Sequence, residues 1–314
     1  MSNYYRALIQ QAHPVDIEPS ETSYFSLSAA GLDPKLFQGK KLIPSVRNSI
    51  LSLVLGALNT KFHGADVWVH AWLAGSGVSY HWYAHRDPAD LDCLVGIDYP
   101  VFRSMNPNYS GFSNKEIASE FNDLFSDTLH PQTSNYLGSY DLTFYANVRS
   151  NIVDIKPYAA YSLTDNEWTV EPKKDGIKRR SDWDTVVHSD IQRAMDITDR
   201  YKRFLGDITA ASTDAARRNA ETMLTHTIEQ GSALFDEIHE GRSAAFGPSG
   251  EGYEDFTNYR WQAGKESGIV QAMRKLKDVS KNVKSITAGQ KYGLDLPKTD
   301  VLIRRAAMQH REAY

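Results

Sequence analysis

The chain of 314 residues contains a single cysteine, Cys93, which excludes an internal disulfide and any metal cluster built on cysteine. No run of residues approaches the roughly 18 consecutive apolar positions of a membrane-spanning helix, so no membrane partner is expected. An excess of positive charge is missing too. Lys and Arg total 35 against 39 Asp and Glu, and a net charge of −4 argues against coating nucleic acid by bulk electrostatics, though local patches remain able to bind it. Residues 1–6 lack the basic and apolar stretches of a secretory signal, and a cytoplasmic location follows as the expectation. No internal repeat or low-complexity tract is evident. Composition otherwise, at 41% hydrophobic and 24% charged, is that of a globular protein long enough for two domains.

The densest chemical signal lies at residues 67–98. Val67, Trp68, Val69, His70, Ala71, Trp72 and Leu73 read as a buried strand running into the small-residue turn Ala74-Gly75-Ser76-Gly77. A second apolar strand follows, Asp90-Leu91-Asp92-Cys93-Leu94-Val95-Gly96-Ile97-Asp98. Side chains alternate faces along a strand, so Asp90 and Asp92 project from one side while Leu91, Cys93 and Val95 enter a core. Carboxylates roughly 7 Å apart at strand spacing repel one another unless a cation lies between them. A hard ion such as Mg²⁺, shared with substrate phosphates, meets that need, and a Gly-Ser turn lets backbone amides and a hydroxyl approach those phosphates.

On these residues the chain resembles the DNA polymerase β-like nucleotidyltransferase superfamily, whose signature is a strand, Gly-Ser, a short connection, and Asp-x-Asp on the next strand. The spacing departs from the pattern, because residues 77–89 intervene where the family is usually shorter. This insert carries Tyr80, His81, Trp82, Tyr83, His85 and Arg86, a composition suited to a base or phosphate, or simply to packing the insert down. The resemblance implies an enzyme that moves a nucleoside monophosphate from a triphosphate to an acceptor hydroxyl, releasing pyrophosphate. It also implies two Mg²⁺ ions, with Mn²⁺ as a substitute, and a third carboxylate on a neighbouring strand. Asp141 is the preferred third member, because residues 140–146 alternate as a half-buried strand with Asp141, Thr143 and Tyr145 on one face. Asp154, flanked by Ile152, Val153 and Ile155, is its rival.

Order along the chain gives an α+β reading: a small mixed sheet over residues 1–180, then a mainly helical domain over 181–314. Val46, Ile50, Leu53, Val54 and Ala57 recur at helical spacing after Pro44, and Ile117, Phe121, Leu124 and Phe125 do so within 115–129. Further on, Trp183, Val187, Ile191, Met195, Ile197 and Tyr201 trace a stripe, and 212–240 is a second long helical stretch. Such helical additions to the superfamily commonly close the nucleotide cleft or grip the acceptor. A glycine-rich loop then enters a helix with Asp255 at its N-cap, where Asn258, Trp261, Gln262 and Lys265 share a face, with Arg260 beside them. This mixture of amide, indole and cation suits a base and a triphosphate. Residues 36–47 and 258–262 are similar to stretches of the compact nucleotidyltransferases of tailed phages, which would place the activity in a host cytoplasm.

The acceptor is read from charge. Lys173, Lys174, Lys178, Arg179 and Arg180 make five of eight residues basic in a strip before the helical region, placed either to touch phosphates or to serve as a solvated linker. The expected acceptor is a nucleic-acid end, above all a tRNA 3′ terminus. A protein hydroxyl, a small molecule, or a catalytically silent nucleotide-binding or antitoxin-like module are the alternatives.

Overall fold

A computed structural model describes residues 8–21, 23–28, 31–82, 89–175, 178–247 and 249–292. Strands β1 (Phe37–Gln38) and β2 (Lys41–Leu42) form a small antiparallel ribbon. Helices α1 (Pro44–Asn59) and α2 (Ala65–Trp68) lead into β3 (Val69–Ala74), and β4 (Ala89–Ile97) is followed by α3 (Tyr99–Met105), α4 (Asn114–Thr128) and α5 (His130–Thr133). Then come β5 (Tyr140–Ala146), β6 (Ala160–Ser162) and β7 (Glu167–Val170). The chain continues as α6 (Ser181–Ala210), α7 (Asp214–Ala245), α8 (Phe256–Glu266) and α9 (Ile269–Tyr292). The fold is therefore α+β with a helical C-terminal region, as the element order predicts.

The main sheet has the order β5-β4-β3-β6-β7. β4 and β5 run parallel, whereas β3 pairs antiparallel with both β4 and β6, so the sheet is mixed. Alternation decides its two faces. Leu73, Leu91, Cys93, Val95, Leu142 and Phe144 enter the main core, where α1 supplies Val46, Ile50 and Val54 and α4 supplies Ile117, Phe121 and Phe125. Each Val, Leu, Ile or Phe among them, fully buried, contributes roughly 1.5–3 kcal/mol. A capping box fixes the start of α4: Ser113 accepts from the Glu116 amide while the Glu116 carboxylate accepts from the Ser113 amide. The opposite face holds a smaller cluster of Trp72, Ala74, Ile152 and Ala160.

Three expectations require correction. The strand expected from residue 67 begins at Val69, because α2 occupies Ala65–Trp68 and leaves Val67 59% exposed. Asp154 lies on a single 3₁₀ turn (Ile152–Ile155), not on a strand: the Asn151 side chain accepts from the Val153 amide, and Lys156 adopts a left-handed φ of 47° that ends the turn. Met195 is 45% exposed and stands outside the α6 stripe, which runs through Val187, Ala194, Ile197, Tyr201, Phe204 and Ile208 at the period of a straight helix.

Two compact units emerge, and each spans more than one segment of chain. One comprises Glu21–Asp184 with Gly241–Gln262, and the other Met1–Ser20, Thr185–Glu240 and Ala263–Tyr314, each as far as its residues are described. The segment Gly241–Gln262 thus groups with the sheet, on the other side of the expected boundary at residue 180. In the helical unit Gly231 lets α7 approach α9, since a Cβ there would stand 2.4 Å from Leu276 Cδ1. Among the described residues no helix is long and apolar enough to cross a membrane.

Candidate functional site

Register brings the carboxylates to one end of one sheet face. In the parallel β4–β5 pair Asp90 lies opposite Asp141 and Asp92 opposite Thr143, while across the antiparallel pair Asp92 lies opposite Ala74. Paired positions on adjacent strands share a face about 4.8 Å apart. Asp90, Asp92 and Asp141 therefore stand on the face turned away from the main core. Thr143 Oγ1 donates to Asp92 Oδ1 at 3.1 Å and fixes that carboxylate. Asp141 Oδ1 is buried without a hydrogen-bond partner, and His130 Nε2 lies 3.7 Å from it, beyond hydrogen-bond reach.

The Gly75-Ser76 turn follows β3 directly and abuts the same carboxylates. Gly75 has φ 88° and ψ −162°, a combination available almost solely to glycine, and a Cβ there would stand 3.1 Å from Asp92 Oδ2. Its amide donates to Ala159 O at 3.1 Å, tying the turn to the chain entering β6. Ser76 opens a short 3₁₀ turn (Ser76–Val78), whose carbonyl accepts from the Ser79 amide and hydroxyl. Cys93, on the core side of β4, has its thiol pushed far up, chiefly by burial and then by the Asp92 charge.

These residues fit a hard cation in donor chemistry. Among the described residues no three His, Cys, Asp or Glu side chains converge into a ready cage. Mg²⁺ rarely requires one, because it is usually held by one or two carboxylates plus waters and substrate phosphates. The buried, unsatisfied Oδ1 of Asp141 is the atom in this group that most lacks a partner.

Family models, curated proteins and solved structures were all compared with this chain. None matches it.

The remaining expected site residues are placed differently. Asn258 is fully buried, and its Nδ2 donates to Tyr158 Oη and to Tyr253 O, both at 3.0 Å. Gln262 Nε2 donates to the same Tyr158 hydroxyl at 2.8 Å, and Trp261 is buried with the Arg242 guanidinium 5.3 Å from its ring. Asn258, Trp261 and Gln262 on that face are therefore interior, as a helix packed down through its aromatic residues would be. Helical spacing locates a face but does not say whether it is covered. Arg260 is half-buried, while Lys265 falls in the helical unit.

The basic strip is partly consumed by local pairs. Lys173 binds Glu254 at 2.9 Å, Arg179 lies 4.4 Å from the Phe25 ring and 3.9 Å from Asp184, and Arg180 sits over Trp183 and binds Asp182 at 3.1 Å. Lys174 and Lys178 are exposed. In the insert, Trp82 is buried and donates to Gly31 O at 2.6 Å, and Tyr80 packs on the core. Tyr83, His85 and Arg86 lie outside the described residues. Sequence reasoning missed His130, whose only signal is its place just after α4, and Tyr158, which stands beside Pro157 with no motif around it.

Proposed function

We propose that the chain is a metal-dependent nucleotidyltransferase acting on a nucleoside triphosphate. The observation that carries this reading is the register that puts Asp90 beside Asp141 and Asp92 beside the Gly75 turn. In the proposed reaction an acceptor hydroxyl oxygen attacks the α-phosphorus in line, the bond between that phosphorus and the bridging oxygen breaks, and pyrophosphate leaves. Mg²⁺, when bound, would lower the pKa of the attacking hydroxyl and neutralise the leaving group. In this reading Asp141 would accept the hydroxyl proton, and Asp90 with Asp92 would hold the cation. Because the Gly75 amide is committed to Ala159, phosphate contacts fall to the Ser76 hydroxyl and the amides after it.

For the acceptor we favour a nucleic-acid end such as a tRNA 3′ terminus, in the cytoplasm, or the host's if a phage encodes the chain. Lys174 and Lys178, exposed beside their paired neighbours, support that choice. A nucleotide-binding module without turnover is the second reading, favoured by the lack of a converged three-carboxylate cage among the described residues. Turnover of Asp92→Ala in Mg²⁺ separates the two. Loss of transfer by at least about 100-fold, with triphosphate still bound, is expected for an enzyme. Undiminished turnover would remove the assignment.

A further inference from the structure

A cavity of about 370 Å³ opens in the sheet unit, and its lining includes Ser79, whose hydroxyl and amide donate to the Ser76 carbonyl of the turn. Ser79 and His81, a few residues beyond the turn, line the cavity together with Val153, Lys156, Tyr158 and Tyr253. The sheet order fixes its place. Asp141 on β5, Asp90 and Asp92 on β4 and the turn after β3 follow one another at one end of the sheet, and the cavity continues that line at β6 and β7, where Ala160 pairs with Val170.

Three aromatic rings shape the interior. Tyr158 and Tyr253 meet edge to face at 89° with centroids 3.8 Å apart, and the His81 ring lies 6.1 and 5.7 Å from them. Each ring is held by its polar atom. Asn258 and Gln262 both donate to the Tyr158 hydroxyl, which fixes the position of that ring at the cavity. The Tyr253 hydroxyl hydrogen-bonds to His81 Nε2. Burial first, and then Tyr158 and Glu254, hold the Tyr253 phenol well above the usual tyrosine range, so this pair carries no phenolate.

Charge at the rim is nearly balanced. Lys156, Lys173, Glu171, Glu251 and Glu254 all line the cavity, Lys173 paired with Glu254 and Glu171 with Lys40. Lys156 Nζ is bound to Gly250 O at 2.5 Å. Such a cavity does not select a polyanion. Its volume lies within the range of small-ligand sites, and rigid aromatic rings stack on planar heterocycles at roughly 1–3 kcal/mol each. We infer that this cavity is a nucleoside subsite, which takes the base and sugar of the triphosphate against Tyr158 while the phosphates lie over the Gly75-Ser76 turn. The inference rests on the nucleotidyltransferase reading but is tested without turnover.

The experiment is calorimetric titration of the full chain, without metal, with adenosine, guanosine, cytidine and uridine, none of which carries a phosphate. Wild type should bind at least one of them. Val153→Trp should raise that Kd at least tenfold by filling the cavity, and because Val153 is 43% exposed the larger side chain does not enter the core. Tyr158→Leu, checked for an unchanged circular dichroism spectrum, should do the same. Failure of every nucleoside to bind wild type in the millimolar range, or equal binding by Val153→Trp, would overturn the subsite even if transfer were demonstrated. Tyr158-dependent binding without any transfer would keep the subsite and instead count against the enzyme.

Discussion

At the scale of single residues, Gly75, directly after β3, and Cys93 on β4 report on the two faces of the sheet at the site. Gly75 both adopts a backbone conformation that side chains avoid and leaves room for the Asp92 carboxylate. Gly75→Ala should therefore cost roughly 1–3 kcal/mol in urea unfolding, with a further loss of activity as Asp92 is displaced. Stability equal to wild type would mean the turn relaxes more freely than its φ implies. Cys93 tests the burial of the other face of β4. Its raised pKa means that the thiolate is absent in the folded chain at ordinary pH, and thiolate fraction rather than thiol controls reactivity. Native protein at pH 8 should react with a disulfide reagent at least about 100-fold more slowly than unfolded protein, with one equivalent released on adding denaturant. The sign is fixed: because the unfolded thiol ionises before the folded one, the raised pKa leaves stability intact below the unfolded value of about 8.5 and costs stability increasingly as pH rises above it.

At the scale of elements, the alternation in β4 and β5 could be read from the sequence, because each core-facing position is apolar and each opposite position between 90 and 92 or 141 and 143 is polar. Parallel pairing between them could not. Nothing local distinguishes a parallel neighbour from an antiparallel one, and the pairing is made by the crossover through α3, α4 and α5. Asp154 misled for a related reason: Ile152, Val153 and Ile155 look like a buried run, yet the Asn151 side chain captures the Val153 amide and turns the chain. The same limit hid the role of Asn258 and Gln262, whose amides face Tyr158 inside the sheet unit. Placement yields a direct comparison. Asp141→Asn should slow single-turnover transfer at least about 100-fold, whereas Asp154→Asn, on an exposed turn, should change it by less than about twofold, both with triphosphate affinity retained. The reverse ranking would move the third carboxylate to Asp154.

At the scale of the whole molecule, a chain of net charge −4 that acts on nucleic acid must hold it through a local strip. Were all five basic residues of 173–180 to contact single-stranded phosphates, neutralising them would flatten the slope of log K against log salt by about 3.5. Lys173, Arg179 and Arg180 already have acidic neighbours, so a change nearer 1.4, the share of Lys174 and Lys178, is expected in tRNA titrations from low to moderate salt. An unchanged slope would point to a protein or small-molecule acceptor. The most direct test of the central claim is a transfer assay with each of the four α-labelled triphosphates in Mg²⁺, offering total tRNA, DNA and protein as acceptors to wild type and to Asp92→Ala in parallel. The account predicts label moved from one triphosphate to a macromolecule, with pyrophosphate released, by wild type alone. Label moved equally by both proteins, or by neither under conditions where wild type binds the triphosphate, would contradict it.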